Sequence, residues 1–152
     1  MSTLDPPHEG SCRCGQVRLT IATAPVMTMA CHCRGCQKMT ASAYSLNAIV
    51  PSEAFSVEQG EPVVGGLHGA SRHFFCPYCM SWLFTRPEGM DAFVVVRSVM
   101  FDHPSESAPF IETWTTEKLP FATIPTAHSF PTFPSREDFP KLMAEFAIRA
   151  GA

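Results

Sequence analysis

Apolar and polar residues alternate along much of the chain, as in strands that bury one face. In QVRLTIA, residues 16–22, the apolar side chains Val17, Leu19 and Ile21 are separated by polar ones, and this two-residue period indicates a half-buried β-strand. Further stretches show the same alternation or a short apolar run, at 44–50, 55–59, 72–75, 81–86 and 91–98. Glycines and prolines separate the stretches, as turns between short strands require. The pattern predicts a mainly β fold.

Helical spacing of apolar residues occurs near the C-terminus. Ser135 followed by Asp138 is an arrangement typical of a helix start. The apolar residues that follow share one helix face: Leu142, Met143, Phe146 and Ala147. We expect a short helix within about residues 135–150 that docks onto the core.

Residues 103–134 combine several prolines with aromatic side chains. Prolines favour an extended backbone and aromatics supply buried area, so this segment is expected to wrap around the sheet. It could also line a site built on the sheet.

Composition and charge narrow the class of protein. With 152 residues, of which 45% are hydrophobic and 16% charged, the chain fits one globular domain over 1–152, with a core at about 8–125. A net charge of −3 gives no electrostatic reason to expect binding to the phosphate backbone of nucleic acid. The polar N-terminus lacks the features of a secretion signal, and no apolar run is long enough for a membrane span. We expect a cytoplasmic protein without nucleic-acid or membrane partners.

Cysteines supply the candidate chemistry. The seven cysteines form three clusters: Cys12 and Cys14 as CxC, Cys31, Cys33 and Cys36 as CxCxxC, and Cys76 and Cys79 as CxxC. An odd number counts against a disulfide framework. Sulfurs two or three positions apart can converge on one zinc ion, so the clusters predict metal binding.

Counting ligands divides the cysteines between two zinc ions per chain. The two isolated pairs supply the four ligands of a closed structural site: Cys12, Cys14, Cys76 and Cys79. The remaining three, Cys31, Cys33 and Cys36, leave a fourth position open, as in catalytic zinc sites, and this site need not be fully occupied. A less favoured partition joins Cys31 and Cys33 to one of the pairs.

Three other side chains are weaker candidates for the metal sites. His32 is a less favoured fourth ligand, because its side chain should point away from its neighbours, and an exposed or supporting imidazole is preferred. His73, three residues before Cys76, could lie near the structural metal. Lys38 could neutralise the negative charge of the second metal site, although a lysine directly after a metal-binding loop is more often exposed to solvent.

Four motifs together resemble one family. GSCRCGQVRL at 10–19, CHCRGCQK at 31–38, FCPYCMSWLF at 75–84 and ETWTTEKLP at 112–120 are similar in order and spacing to the glutathione-dependent formaldehyde-activating enzymes, also called the centromere-protein-V family. Two positions differ from the family pattern. Met80 stands where the family usually has glycine, and QKMTASAY after Cys36 lacks a glycine often found there.

The resemblance implies an Mss4-like fold of packed antiparallel sheets and the same division of cysteines between two zinc sites. It implies a carbon–sulfur lyase that condenses glutathione, or a similar thiol, with formaldehyde or another small aldehyde. Cys31, Cys33 and Cys36 would then be catalytic. Two alternatives remain: a zinc-stabilised binding module, and a redox sensor that loses zinc on oxidation.

Overall fold

The computed structural model describes residues 6–65, 67 and 69–151, and these form eleven strands and two α-helices. The strands are β1 His8–Ser11, β2 Arg18–Ile21, β3 Met27–Cys31, β4 Ser45–Pro51, β5 Phe55–Gln59, β6 Val63–Val64, β7 Ser71–Phe75, β8 Trp82–Pro87, β9 Phe93–Arg97, β10 Ile111–Thr113 and β11 His128–Ser129. The helices are α1 Arg34–Thr40 and α2 Asp138–Arg149.

The strands form a small and a large sheet. The small sheet has the order β1-β2-β5 and is antiparallel. The large sheet has the order β11-β10-β3-β4-β9-β8-β7-β6. It is antiparallel except that β10 runs parallel to both β3 and β11. The mainly β fold with a short C-terminal helix is therefore confirmed, and the large sheet is mixed.

Each face of the large sheet has its own buried cluster. One face carries Ala48, Val96 and Phe84, which pack against Leu19 and Ile21 of the small sheet. The other face forms a second cluster with members from the large sheet and from α2: Met27, Met29, Ile49, Phe110, Ile111 and Leu142. Side chains on a strand alternate between faces, so the register decides which residues share the second face.

All six predicted strand regions contain strands, at β2, β4, β5, β7, β8 and β9. β3 was missed because four of its five residues are buried, which removes the alternation. α1 was missed because seven residues are too few to show a helical period.

α2 begins and packs largely as predicted. The Asp138 N–H donates to Ser135 Oγ at 3.2 Å. Leu142 is buried, and Phe146 packs against the second cluster. Ala147 was wrongly placed on the packed face and is exposed, because Phe139, Leu142 and Phe146 form that face and Ala147 lies to one side of it.

The segment 103–134 does more than wrap the sheet, because it contributes β10. Ile111, Glu112 and Thr113 pair with Met29, Ala30 and Cys31 of β3. This parallel pairing fixes β10 beside the CxCxxC stretch. None of the helices in the described part of the chain is long and apolar enough to cross a membrane. One domain over 1–152 and a cytoplasmic location remain predictions.

Candidate metal centre

The first group of sulfurs joins two turns that are distant in sequence. The Sγ atoms of Cys12, Cys14, Cys76 and Cys79 lie within 4.8 Å of one another. Cys12 Sγ is 3.5 Å from Cys14 Sγ, which is 3.8 Å from Cys76 Sγ. Sulfurs at the corners of a zinc tetrahedron with bonds of about 2.3 Å are about 3.8 Å apart, so this group fits a tetrahedral metal. All four are free cysteines.

Backbone turns hold this group in place. After Cys12, Gly15 adopts φ 82° and its N–H donates to the Cys12 carbonyl at 3.0 Å. After Cys76, the Met80 N–H donates to the Cys76 carbonyl at 3.0 Å, and Met80 adopts φ 60°. Glycine adopts this left-handed conformation at a lower cost than methionine.

The electrostatics of the group favour ligand chemistry. Burial raises the pKa of the Cys79 thiol, but hydrogen bonds from the Ser81 side chain and backbone outweigh it and lower the pKa to about 5. The Val17 N–H also donates to Cys12 Sγ at 3.3 Å. Thiolate is the form that binds metal, so these contacts stabilise the ligand state of Cys12 and Cys79. At Cys14 a backbone hydrogen bond from Gln16 lowers the pKa, but burial and the contacts with the other sulfurs outweigh it and raise the pKa to about 12.

The second group of sulfurs forms within one short stretch. Cys31 ends β3, Cys33 caps α1, and Cys36 lies in the first turn of α1. The Cys36 N–H donates to Cys33 Sγ at 3.3 Å. The three Sγ atoms lie within 4.8 Å of one another, and all three residues are half-buried. This group could hold a metal and is one sulfur short of a closed tetrahedral set.

Negative charge is shared unevenly among the three thiols. Hydrogen bonds from Cys31 and Cys36 lower the pKa of Cys33 to about 2. The contact with Cys33 raises the pKa of the Cys31 thiol. The contacts with Cys31 and then with Cys33 raise the pKa of the Cys36 thiol. The contacts within the group therefore favour the thiolate form at Cys33 over that at Cys31 and Cys36. A divalent cation would allow all three sulfurs to be thiolates.

His32 has a supporting position and is not one of the converging groups. Its side chain is fully buried, so of the two expected positions, exposed or supporting, the structure shows the supporting one. Nε2 lies 2.8 Å from Glu112 Oε2, on β10. Glu112 also accepts hydrogen bonds from Lys118 Nζ at 3.1 Å and from Ser129 Oγ at 2.7 Å. This buried network links the CxCxxC stretch to the ETWTTEKLP motif.

A cavity of about 270 Å³ adjoins the second group of sulfurs. Cys31 and Cys36 lie on its wall together with Trp82, Arg97 and Phe133. We call it the Trp82–Arg97 cavity. Larger surface cavities of about 420 and 480 Å³ contain no cysteine. Phe133 confirms that the 103–134 segment contributes to the lining beside these sulfurs.

Sequence reasoning did not identify Arg97, which is 5% exposed. Its guanidinium donates to Asn47 Oδ1, to Thr85 Oγ1 at 2.6 Å and to the Val95 carbonyl at 3.1 Å. It also stacks 3.8 Å from the centroid of the Trp82 ring. Burial lowers the pKa of Arg97 to about 10, and the charges on Cys36, Cys31 and Cys33 oppose that decrease. Arg97 therefore carries a positive charge near the second group.

The structure also places the two remaining candidate side chains, His73 and Lys38. His73 lines the Trp82–Arg97 cavity beside Cys31 and Cys36, and its Nδ1 lies 2.9 Å from Thr85 Oγ1. It therefore adjoins the second group of sulfurs. Lys38 is exposed to solvent, as was considered more usual for a lysine at this position.

Comparisons with known proteins give a family match and a similar fold. A sequence model of the glutathione-dependent formaldehyde-activating enzymes matches residues 7–117. No curated protein is significantly similar in sequence. A crystal structure of a Rhodobacter sphaeroides protein, a Northeast Structural Genomics target, aligns with a TM-score of 0.53 and 16% identity over 62% of this chain and 87% of its own. This similarity concerns the fold.

Met80→Gly should leave stability unchanged or raise the free energy of unfolding by up to about 1 kcal/mol. Relief of the left-handed strain is worth about 1–2 kcal/mol, and the greater freedom of glycine in the unfolded chain offsets part of it. Urea unfolding measures the change. Ala144→Gly, at an exposed position within α2, is the control and should lose about 1 kcal/mol. An equal loss of unfolding free energy in Met80→Gly and Ala144→Gly would contradict the presence of backbone strain at Met80.

Glu112→Gln should lower the free energy of unfolding by about 3 kcal/mol, because it removes the charge of a buried carboxylate that accepts from three donors. Hydrogen bonds from Ser129, Lys118 and His32 outweigh burial and hold the pKa of Glu112 below its usual value. Its contribution is therefore complete above the unfolded-state pKa of about 4.3 and is lost as pH falls through the folded-state pKa. Urea unfolding from neutral to acidic pH tests both expectations.

Glu145→Gln is a matched control for Glu112→Gln. Glu145 has the same 2.8 Å contact to a histidine, His128, and a cationic partner in Arg149, but it is only half-buried, with 38% of its side chain exposed. Removing its charge should change stability little, because water screens exposed pairs. Similar losses in the two variants would show that the buried network has no special role.

Proposed function

Because the chain belongs to the glutathione-dependent formaldehyde-activating enzyme family, we propose that it is a zinc-dependent carbon–sulfur lyase that joins a glutathione-like thiol to a small aldehyde. The observation that carries the proposal is the convergence of three sulfurs, one fewer than a closed set, beside a cavity. The product is an S-hydroxyalkyl adduct, and the reaction is reversible.

The cysteines have two roles in this proposal. Cys12, Cys14, Cys76 and Cys79 hold a structural zinc ion, and Cys31, Cys33 and Cys36 hold the second. A zinc ion bound by three thiolates supplies a Lewis acid that lowers the pKa of an additional thiol. The half-buried positions of the three cysteines leave the second site accessible to a substrate thiol.

The surrounding residues support this chemistry through charge and position. Three thiolates and one divalent metal sum to −1, and Arg97 adds +1 beside them. The metal site and Arg97 together are then neutral before the substrate thiolate arrives. This neutrality reduces the electrostatic repulsion of the thiolate. The His32–Glu112 contact holds the stretch that carries the sulfurs against β10. Fixed positions favour bond formation between bound partners.

The bond changes are simple and balanced. The thiol sulfur gives up its proton and forms a bond to the carbonyl carbon. The π electron pair of the carbonyl moves onto its oxygen, which takes up a proton through solvent. No oxidant or reductant is consumed.

The zinc-loaded protein should accelerate exchange between glutathione, formaldehyde and their adduct. NMR exchange spectroscopy measures this rate against the uncatalysed background, since the reaction is already reversible without protein. Cys33→Ser should abolish the acceleration. Metal-replete protein that gives the background rate would overturn the lyase proposal and favour a binding module.

Cys33→Ser should reduce the zinc content from about two ions to about one per chain while the fold persists. Serine is a good helix N-cap, so α1 keeps its cap when the sulfur is lost. Elemental analysis and circular dichroism provide the measurements. Cys79→Ser is the comparison and should reduce stability as well as zinc content, because Cys79 belongs to the group that joins distant turns. Unchanged zinc in Cys33→Ser would refute the assignment of the second site.

A further inference from the structure

The Trp82–Arg97 cavity has a composition that suits an organic carbonyl compound. Resting on the lyase function proposed above, we propose that this cavity binds the aldehyde and that it is shaped for neutral aldehydes with a hydrocarbon chain of several carbons. The hydrocarbon chain lies against the apolar side chains that line the cavity, beside Cys31 and Cys36. Formaldehyde would then be the smallest member of the substrate class.

The register of the large sheet brings the polar and sulfur groups to one face. Asn47 pairs with Arg97, and Cys31 pairs with Ser45, two residues from Asn47. Residues two apart on a strand share a face, so Cys31 and Arg97 lie on the same side of the sheet. A register shift at the β7–β8 pairing places Trp82 opposite Phe75. Cys31, Trp82 and Arg97 all line the cavity as a result.

The size and lining of the cavity favour a molecule larger than formaldehyde. Its volume is about 270 Å³, whereas a cavity of roughly 150 Å³ can hold benzene. Met29, Ile49 and Val95 line it together with Trp82 and Phe133. Apolar surfaces of this kind are stabilised by contact with hydrocarbon. Formaldehyde has a single carbon and would leave most of that surface uncovered.

Charge favours a neutral aldehyde over one that carries a carboxylate. Within the described part of the chain, no carboxylate forms an ion pair with Arg97. In the proposed enzyme the net −1 of the three-thiolate zinc site already balances the guanidinium. The substrate thiolate adds another negative charge. A carboxylate in the same low-dielectric space would be unbalanced and would bind poorly.

The first test compares aldehydes in the glutathione exchange reaction, with each rate normalised to its uncatalysed rate. Formaldehyde, butanal and 4-oxobutanoate differ in chain length and charge. Each buried CH₂ should raise the specificity constant about fourfold, so butanal should exceed formaldehyde on the order of 50-fold. The anionic 4-oxobutanoate should lack this gain. Catalysis of formaldehyde exchange without a gain for butanal would overturn the inference and leave the lyase function intact.

A second test measures binding without catalysis. The chain has two tryptophans, and Trp114 is 36% exposed and outside the cavity lining. In Trp114→Phe, fluorescence therefore reports on Trp82 alone. Butanamide, a neutral and unreactive carbonyl compound, should change this fluorescence saturably in both metal-free and zinc-loaded protein, and butanoate should not. Absence of a butanamide response, or a stronger response to butanoate, would overturn the inference.

If no aldehyde reacts but butanamide binds, the lyase proposal fails while the carbonyl-binding cavity is supported.

Discussion

The hydrogen bond between His32 and Glu112 connects the local cysteine stretch to the rest of the molecule. Close spacing alone can bring the sulfurs of Cys31, Cys33 and Cys36 together, but it does not fix their position relative to the sheet. His32 lies between the first two and contacts Glu112 on β10. β10 in turn pairs with β3 up to Cys31. Two constraints therefore act on the same turn, one through the backbone and one through a buried side-chain pair.

The two sulfur groups depend on the fold in different ways. Cys14 and Cys76 are 62 positions apart, so a shared metal would close a long loop and restrict the unfolded chain strongly. The group at Cys31, Cys33 and Cys36 spans six residues and closes almost no loop. The group that joins Cys14 to Cys76 is therefore suited to stabilising the folded chain. The second group can gain or lose a ligand without separating distant parts of the chain.

The sequence allowed much of the framework to be predicted, and the limits have physical causes. Alternation identified strands with one buried face, and ligand counting gave the same cysteine groups that converge in space. The cavity was not predictable in the same way. Arg97 lies among apolar residues in a strand, and its proximity to Cys31 depends on pairing across β3, β4 and β9. Trp82 lines the cavity beside a register shift that no local pattern signals.

Phe133 lies outside residues 7–117, the part of the chain that matches the family, yet it lines the cavity beside Cys31 and Cys36. None of the seven cysteines is in its segment. The ligand framework and this part of the wall are therefore separable units of the sequence. Substitutions or length changes after residue 117 can alter the shape of the chamber while every sulfur-bearing turn is retained. Such an arrangement allows selectivity to diversify on a fixed metal-binding scaffold.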